Sequence, residues 1–285
     1  MTDGYFETPD QVRIHYQDYE PPAAAGTPVL CLHGLTRNER DFEELAPRIT
    51  ALGRRVIVPT QRGRGLSDRD PNVERYTPAV YVADMLALLD FLGVERAVWV
   101  GTSMGGLMTM IAAAEAPQRL AGAVLNDVGP EIDPVGLERI RSYAGAAKLA
   151  TTWDEAAELA RQINRVSFPQ ERDSAFWAKF ARRLFREEAP GRIALDYDPE
   201  TARTVQPQAG PPADLWPLFN ALGPIPTLVI RGDITDVLMG STVDEMRRRK
   251  PDLAVASVPD VGHAPFITEP AAWNALSAFL SGRAR

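Results

Sequence analysis

Gly101-Thr102-Ser103-Met104-Gly105 places a serine midway between two glycines, each two residues away. A serine hydroxyl is a poor nucleophile until a base removes its proton, and histidine is the usual base near neutral pH. The chain has three histidines, His15, His33 and His263. His15 falls in the alternating run Val12-Arg13-Ile14-His15-Tyr16 and reads as an ordinary strand side chain. His33 closes the apolar run Pro28-Val29-Leu30-Cys31-Leu32 and is followed by Gly34. His263 lies in a glycine-containing loop between a strand-like run at 254–258 and the last helix. A loop after the final strand can reach a serine at the top edge of a sheet, so His263 is the expected general base. Such a base needs a buried carboxylate to hold its tautomer and stabilise its positive charge. Asp233 and Asp236 follow the strand-like run 226–232, and Asp127 follows another at its own strand end. All three keep the chain order serine, acid, histidine. Asp233 reads as a turn cap, and Asp236 has the better reach toward His263. Asp236 is therefore the preferred acid and Asp127 the alternative, while Asp260 reads as solvated.

The elements around Ser103 explain how it would be presented. Val98-Trp99-Val100 reads as a buried strand, and residues 106–116 read as a helix rich in small side chains. A turn tight enough to join them brings the positions flanking the serine nearly into contact, which glycine permits for lack of a side chain. The serine is left in a strained backbone conformation with its hydroxyl above the sheet.

With Ser103, an acid and His263 in that order, the chain resembles the α/β-hydrolase fold family over nearly its whole length. His33-Gly34-Leu35 is similar to the family's His-Gly motif after the third strand, and Arg62-Gly63-Arg64-Gly65-Leu66-Ser67 to its Arg-Gly-x-Gly-x-Ser turn after the fourth. The resemblance implies an oxyanion hole made by the amides of Leu35 and Met104, with His33 fixing the loop. It implies an α/β fold: a mostly parallel, roughly eight-stranded sheet flanked by helices, with an inserted helical cap. One departure is Thr60-Gln61, where members often carry an acid before the arginine. A serine at the elbow differs from the carboxylate of haloalkane dehalogenases and epoxide hydrolases. Carbon–carbon bond hydrolases of ring-cleavage products do use serine, but they often carry tryptophan after the histidine, where this chain has Ala264-Pro265-Phe266. Hydrolysis of a small carboxylic ester or lactone through an acyl-enzyme is the leading expectation. Cleavage of a diketone-type carbon–carbon bond is an alternative, and a ligand receptor with a little-used triad is another.

Strand-like segments cluster in residues 1–128 and again near 224–260, alternating with helical ones in the manner of a parallel sheet. The expected division is a first core segment at 1–129, a helical cap at 130–215 and a second core segment at 216–285. The stretch between the strand clusters reads as almost entirely helical. Thr152-Trp153-Asp154-Glu155 fits a capping box, and residues 175–185 carry Trp177, Phe180, Ala181 and Leu184 at helical spacing. The proline-stiffened stretch 206–212 reads as a linker. Trp153, Phe168, Trp177, Phe180 and Phe185 could glue the cap to the core or line a pocket. Among the arginines of this stretch (Arg139, Arg141, Arg161, Arg165, Arg172, Arg182, Arg183, Arg186 and Arg192), most read as solvated helix face, with one available to hold a substrate carboxylate. Leu35, Met104, Leu238 and Phe266 flank the expected catalytic positions and imply an apolar pocket, with Leu238 and Phe266 as candidate substrate contacts.

At 285 residues and 45% apolar, the chain can bury a large core. Its net charge of −7 argues against a nucleic-acid partner, and Arg247-Arg248-Arg249-Lys250 reads as a complement to a helix C-terminus. The single cysteine, Cys31, lies in an apolar run and reads as a buried structural thiol. No Cys/His cluster has zinc spacing, so no metal or cofactor is expected. No signal-peptide pattern or long apolar run appears. The expected partner is a small acyl substrate, with no membrane involved and a cytoplasmic setting.

Overall fold

The computed structural model describes residues 1–146, 148–206 and 213–282. Its strands are β1 (Thr2–Glu7), β2 (Arg13–Tyr19), β3 (Val29–Leu32), β4 (Val56–Pro59), β5 (Ala97–Thr102), β6 (Leu120–Asn126), β7 (Leu149–Ala150), β8 (Phe185–Ala189), β9 (Arg192–Leu195), β10 (Thr227–Gly232) and β11 (Ala254–Val258). The helices are α1 (Leu45–Thr50), α2 (Pro78–Phe91), α3 (Met104–Glu115), α4 (Pro134–Tyr143), α5 (Trp153–Asn164), α6 (Ser174–Leu184), α7 (Trp216–Asn220), α8 (Gly240–Arg249) and α9 (Pro270–Gly282). Eight strands form one sheet in the order β1-β2-β4-β3-β5-β6-β10-β11. The β1–β2 and β2–β4 pairs are antiparallel, and the remaining pairs are parallel.

Both faces of this sheet are covered, which is why its central strands are apolar throughout rather than alternating with polar residues. In β5, Trp99 packs on one side with Met85 and Leu88 of α2, Met108 of α3 and Met246 of α8. Val98 and Val100 point the other way, onto Leu45 and Ile49 of α1 and Leu276 and Phe279 of α9. The period of two along the strand thus splits the core into two layers. Helix starts follow local chemistry: Thr77 caps α2, its Oγ1 accepting the Val80 N–H at 3.4 Å, with Pro78 in the first turn.

The chain leaves the main sheet after β6 and returns at β10. The intervening stretch is not almost entirely helical: β7, β9 and β8 form a three-stranded antiparallel sheet beside α5 and α6. Phe185-Arg186-Glu187-Glu188-Ala189 is built mostly of good helix formers, so its composition favours continuing α6. Pro190-Gly191, with Gly191 at φ +72°, turns the chain back instead and pairs β8 with β9. The capping box at α5 is also altered. Thr152 Oγ1 accepts the Glu155 N–H at 3.2 Å, but the Glu155 carboxylate accepts the N–H of Thr151, at 2.7 Å. Of the linker stretch 206–212, residues 207–212 lie outside the described residues.

Candidate active site

Ser103 occupies the sharp turn between β5 and α3, with φ at +52°. The close approach behind this turn is severe. A Cβ on Gly101 would lie 2.2 Å from the Gly105 carbonyl oxygen, and one on Gly105 would lie 2.3 Å from that of Leu32. No side chain fits at either position, so both glycines are required for the turn to form. Ser103 Oγ lies 2.9 Å from His263 Nε2, and His263 Nδ1 lies 2.8 Å from Asp127 Oδ2. An ionised carboxylate only accepts, so Nδ1 carries the imidazole proton and Nε2 is left to accept from the serine hydroxyl.

Asp127 follows β6 directly, is fully buried and sits at φ +57°. Its carboxylate also accepts the Gly232 N–H at 2.9 Å and the Thr235 hydroxyl at 2.6 Å. The β10 loop thereby solvates the charge that burial strips of water. The His263 loop is held from several sides. Asn126 donates its side-chain amide to the Pro265 carbonyl at 2.8 Å, the Gly262 N–H donates to the Ser167 carbonyl at 2.7 Å, and the Ser167 hydroxyl donates to the His263 carbonyl. Asn126 and Ser167 are absent from the sequence-level site. Neither residue type nor spacing marks them, because their role is to satisfy a loop about 100 or more residues away.

Leu35 follows β3 in a loop that lies against Ser103: a Cβ on Gly34 would stand 3.8 Å from Ser103 Cβ. His33 Nδ1 donates to the Gly34 carbonyl at 2.8 Å, while its Nε2 accepts the Gln61 N–H at 3.1 Å. Burial pushes the His33 imidazole down to about 3, and the nearby Arg64 and Arg37 charges add to the effect against the opposing Gly34 bond. A neutral His33 of fixed tautomer therefore polarises the peptide whose N–H belongs to Leu35. Met104 is the first residue of α3, so its N–H has no acceptor within the helix. Gln61, part of the Thr60-Gln61 departure from the family's pattern, uses its backbone N–H for His33 and sets its side-chain amide 3.8 Å from Met108 Sδ.

Above Ser103 and His263 lies a small cavity of about 90 Å³. Phe168, Phe180, Leu184 and Phe266 supply an apolar wall, and Arg37, Tyr143 and Asn164 supply polar groups. Phe266 stacks on Phe168 with ring centroids 5.1 Å apart and planes 9° apart. The arrangement sets a serine hydroxyl against an imidazole of defined tautomer at the floor of a sheltered volume. Among the described residues no cluster of His, Cys, Asp and Glu suited to a metal ion occurs. No described helix is long and apolar enough to cross a membrane.

A family model described as alpha/beta hydrolase fold matches residues 27–270. The chain belongs to that family. A 3-hydroxybutyrate-oligomer hydrolase of Cupriavidus necator is 34% identical over 278 residues, covering 95% of this chain and 93% of the relative. A 2-(acetamidomethylene)succinate hydrolase of Mesorhizobium japonicum is 26% identical, covering 89% of each. An alpha/beta hydrolase structure from Novosphingobium aromaticivorans superposes with a TM-score of 0.90 at 43% identity, covering 98% of both chains.

In this α/β hydrolase the preferred acid of the sequence reading is misplaced. Asp236 does not bond His263; it is paired with Arg139 of α4, whose Nη2 donates to Oδ1 at 2.7 Å. Burial pushes the Asp236 carboxyl up, but the Arg139 fork outweighs it and holds the group below the usual carboxylate range. Asp127 occupies the position on His263 that Asp236 was expected to take. Leu238 is also corrected. Its side chain is fully buried in the core beside Gly129 and is not among the cavity residues, because the β10 loop turns back onto α8. Phe266 does line the cavity, as do Phe168 and Phe180, whereas Trp177 and Phe185 are packed within the insertion. Trp153 lies under the Arg182 guanidinium, 3.4 Å from the ring centroid. None of the insertion's arginines is among the cavity residues; the arginine that lines it is Arg37, from the segment after β3.

Proposed function

We propose that this α/β hydrolase is a serine esterase that cleaves a small-molecule carboxylic ester or lactone, with Ser103 as nucleophile, His263 as general base and Asp127 as the acid that orients it. The observation that carries this reading is the unbroken chain from Ser103 Oγ through His263 to Asp127, at 2.9 and 2.8 Å, on a turn beneath a cavity. Ser103 Oγ attacks the carbonyl carbon while its proton passes to His263 Nε2. The carbonyl oxygen takes the electron pair as an oxyanion, facing the amides of Leu35 and Met104, each worth about 3 kcal/mol by comparison with measured donors. Collapse breaks the bond to the leaving oxygen, which receives the proton from His263. Water then attacks the acyl-serine, gives its proton to His263, and the second collapse releases the acid and restores the Ser103 hydroxyl.

The cavity and the relatives together support a substrate class. An apolar wall with a few polar groups suits a short acyl chain carrying an oxygen substituent. Likeness to a 3-hydroxybutyrate-oligomer hydrolase supports linear esters of short hydroxy acids as the leading candidates.

A fluorophosphonate probe tests the nucleophile, because it bonds covalently only to an activated serine. Wild-type protein is expected to be labelled, and Ser103→Ala to lose both labelling and hydrolysis of p-nitrophenyl butyrate and of the 3-hydroxybutyrate dimer. Labelling that persists in Ser103→Ala, or a folded wild type that is neither labelled nor active on any ester, contradicts the proposal.

A further inference from the structure

Arg62 and Arg64 stand two residues apart in the turn after β4, and each is 1% exposed. Arg62 is surrounded by carboxylates, donating to Asp10, Asp70 and Asp84. Arg64 forms no ion pair with any described carboxylate. Its Nε donates to the Leu35 carbonyl at 3.1 Å and its Nη1 to the Arg62 carbonyl at 2.8 Å. Its Nη2 lies 3.7 Å from Met104 Sδ, and the guanidinium faces the Tyr81 ring at 4.7 Å. A buried charge without a counter-charge is costly, and two carbonyls and a π face offset only part of that cost. Leu35 and Met104, which its Nε and Nη2 reach, are the two whose amides face the carbonyl oxygen in the proposed reaction. Arg64 is not a cavity residue, so it approaches both from behind.

We propose that Arg64 is a positioning residue for the oxyanion hole: its unpaired guanidinium spans the Leu35 carbonyl and the Met104 thioether, fixing the separation of the two amides and placing a positive charge behind the developing oxyanion. In the resting protein that charge has no anionic partner among the described residues. In the tetrahedral intermediate the substrate supplies one, so the interaction is stronger in the transition state than in the ground state, as catalysis requires. Arg62 sits in the same turn with its charge already answered, which separates the two arginines by role. The inference rests on the serine-esterase reading.

The test compares wild type, Arg64→Met and Arg64→Lys by two measurements. The first is kcat and KM for p-nitrophenyl butyrate. The second is the pH at which the hemiketal formed by Ser103 with a trifluoromethyl ketone ionises, followed by fluorine NMR. Removing an oxyanion donor itself costs about 10²- to 10³-fold in kcat. Arg64→Met, acting through the donors, is expected to lower kcat about 10- to 100-fold with KM within about threefold, and to raise the ionisation pH of the hemiketal by about one unit. Arg64→Lys, which keeps the charge and loses the fork, should fall between. A folded Arg64→Met with wild-type kcat, or with lowered kcat and an unmoved hemiketal, overturns the proposal. If Arg64→Met does not fold, Arg64→Lys decides: both readouts must move in the same directions, and unchanged values overturn it. A wild type that neither hydrolyses the ester nor forms the adduct refutes the esterase reading and this inference with it. An active wild type with unmoved variants refutes the inference alone.

Discussion

Two neighbouring loops at the same edge of the sheet each carry a carboxylate within reach of the site, and they use it differently. Asp127 follows β6 and turns inward at φ +57°, where His263, Gly232 and Thr235 all donate to it. Asp236 follows β10 and turns toward α4, where Arg139 takes it. The β10 loop therefore contributes donors to the carboxylate that meets His263 rather than that carboxylate itself. A buried carboxylate is useful to a histidine only where other donors hold it ionised and fixed, and those donors come from the adjacent strand end.

The largest effect expected from this contrast is at Asp127. Asp127→Asn should reduce kcat about 10⁴-fold, because an amide no longer fixes the Nδ1–H tautomer of His263. Steady-state hydrolysis of p-nitrophenyl butyrate measures it, and a loss below about tenfold would mean that another group orients the base. Thr235→Val removes one of the three donors while leaving the acid, and a loss of about tenfold in kcat is expected for a hydrogen bond to a charged group. An unchanged rate there would show that Gly232 and His263 suffice. Asp236→Asn should change kcat by less than about threefold, two or more orders of magnitude below the cost set for a triad acid.

Asp236 should instead be visible in stability. Its carboxyl is held below the ordinary range of about 3.9, so the pair with Arg139 stabilises the fold fully above that range. The contribution is lost as pH falls through the lower folded value. Thermal melting of wild type against Asp236→Asn should therefore show a gap at neutral pH that closes in acid; a gap that widened on acidification would reverse the sign.

The elbow is legible in the sequence because Gly101 and Gly105 are there for a backbone approach that no other residue permits, and an apolar strand leads into them. His263 is legible by elimination among three histidines, since the other two lie in or at the end of early strands. The choice between Asp127 and Asp236 is not, because both preserve chain order. What separates them is a left-handed backbone at Asp127 and donors more than 100 residues downstream. The small sheet of the insertion is hidden for a related reason: the helix-forming composition of residues 185–189 competes with a pairing that only β9 can supply. Arg64 reads as part of a glycine turn, and its unpaired charge emerges only when Arg62 is seen to hold the carboxylates.

Rapid acid quenching during turnover of p-nitrophenyl butyrate, followed by peptide mass mapping, tests the central claim most directly. The account predicts an acyl group on the peptide containing Ser103 in wild type and Asp236→Asn, and its near absence over the same interval in Asp127→Asn. Turnover with no acyl-protein, an acyl group on another residue, or an adduct lost in Asp236→Asn but kept in Asp127→Asn would contradict it.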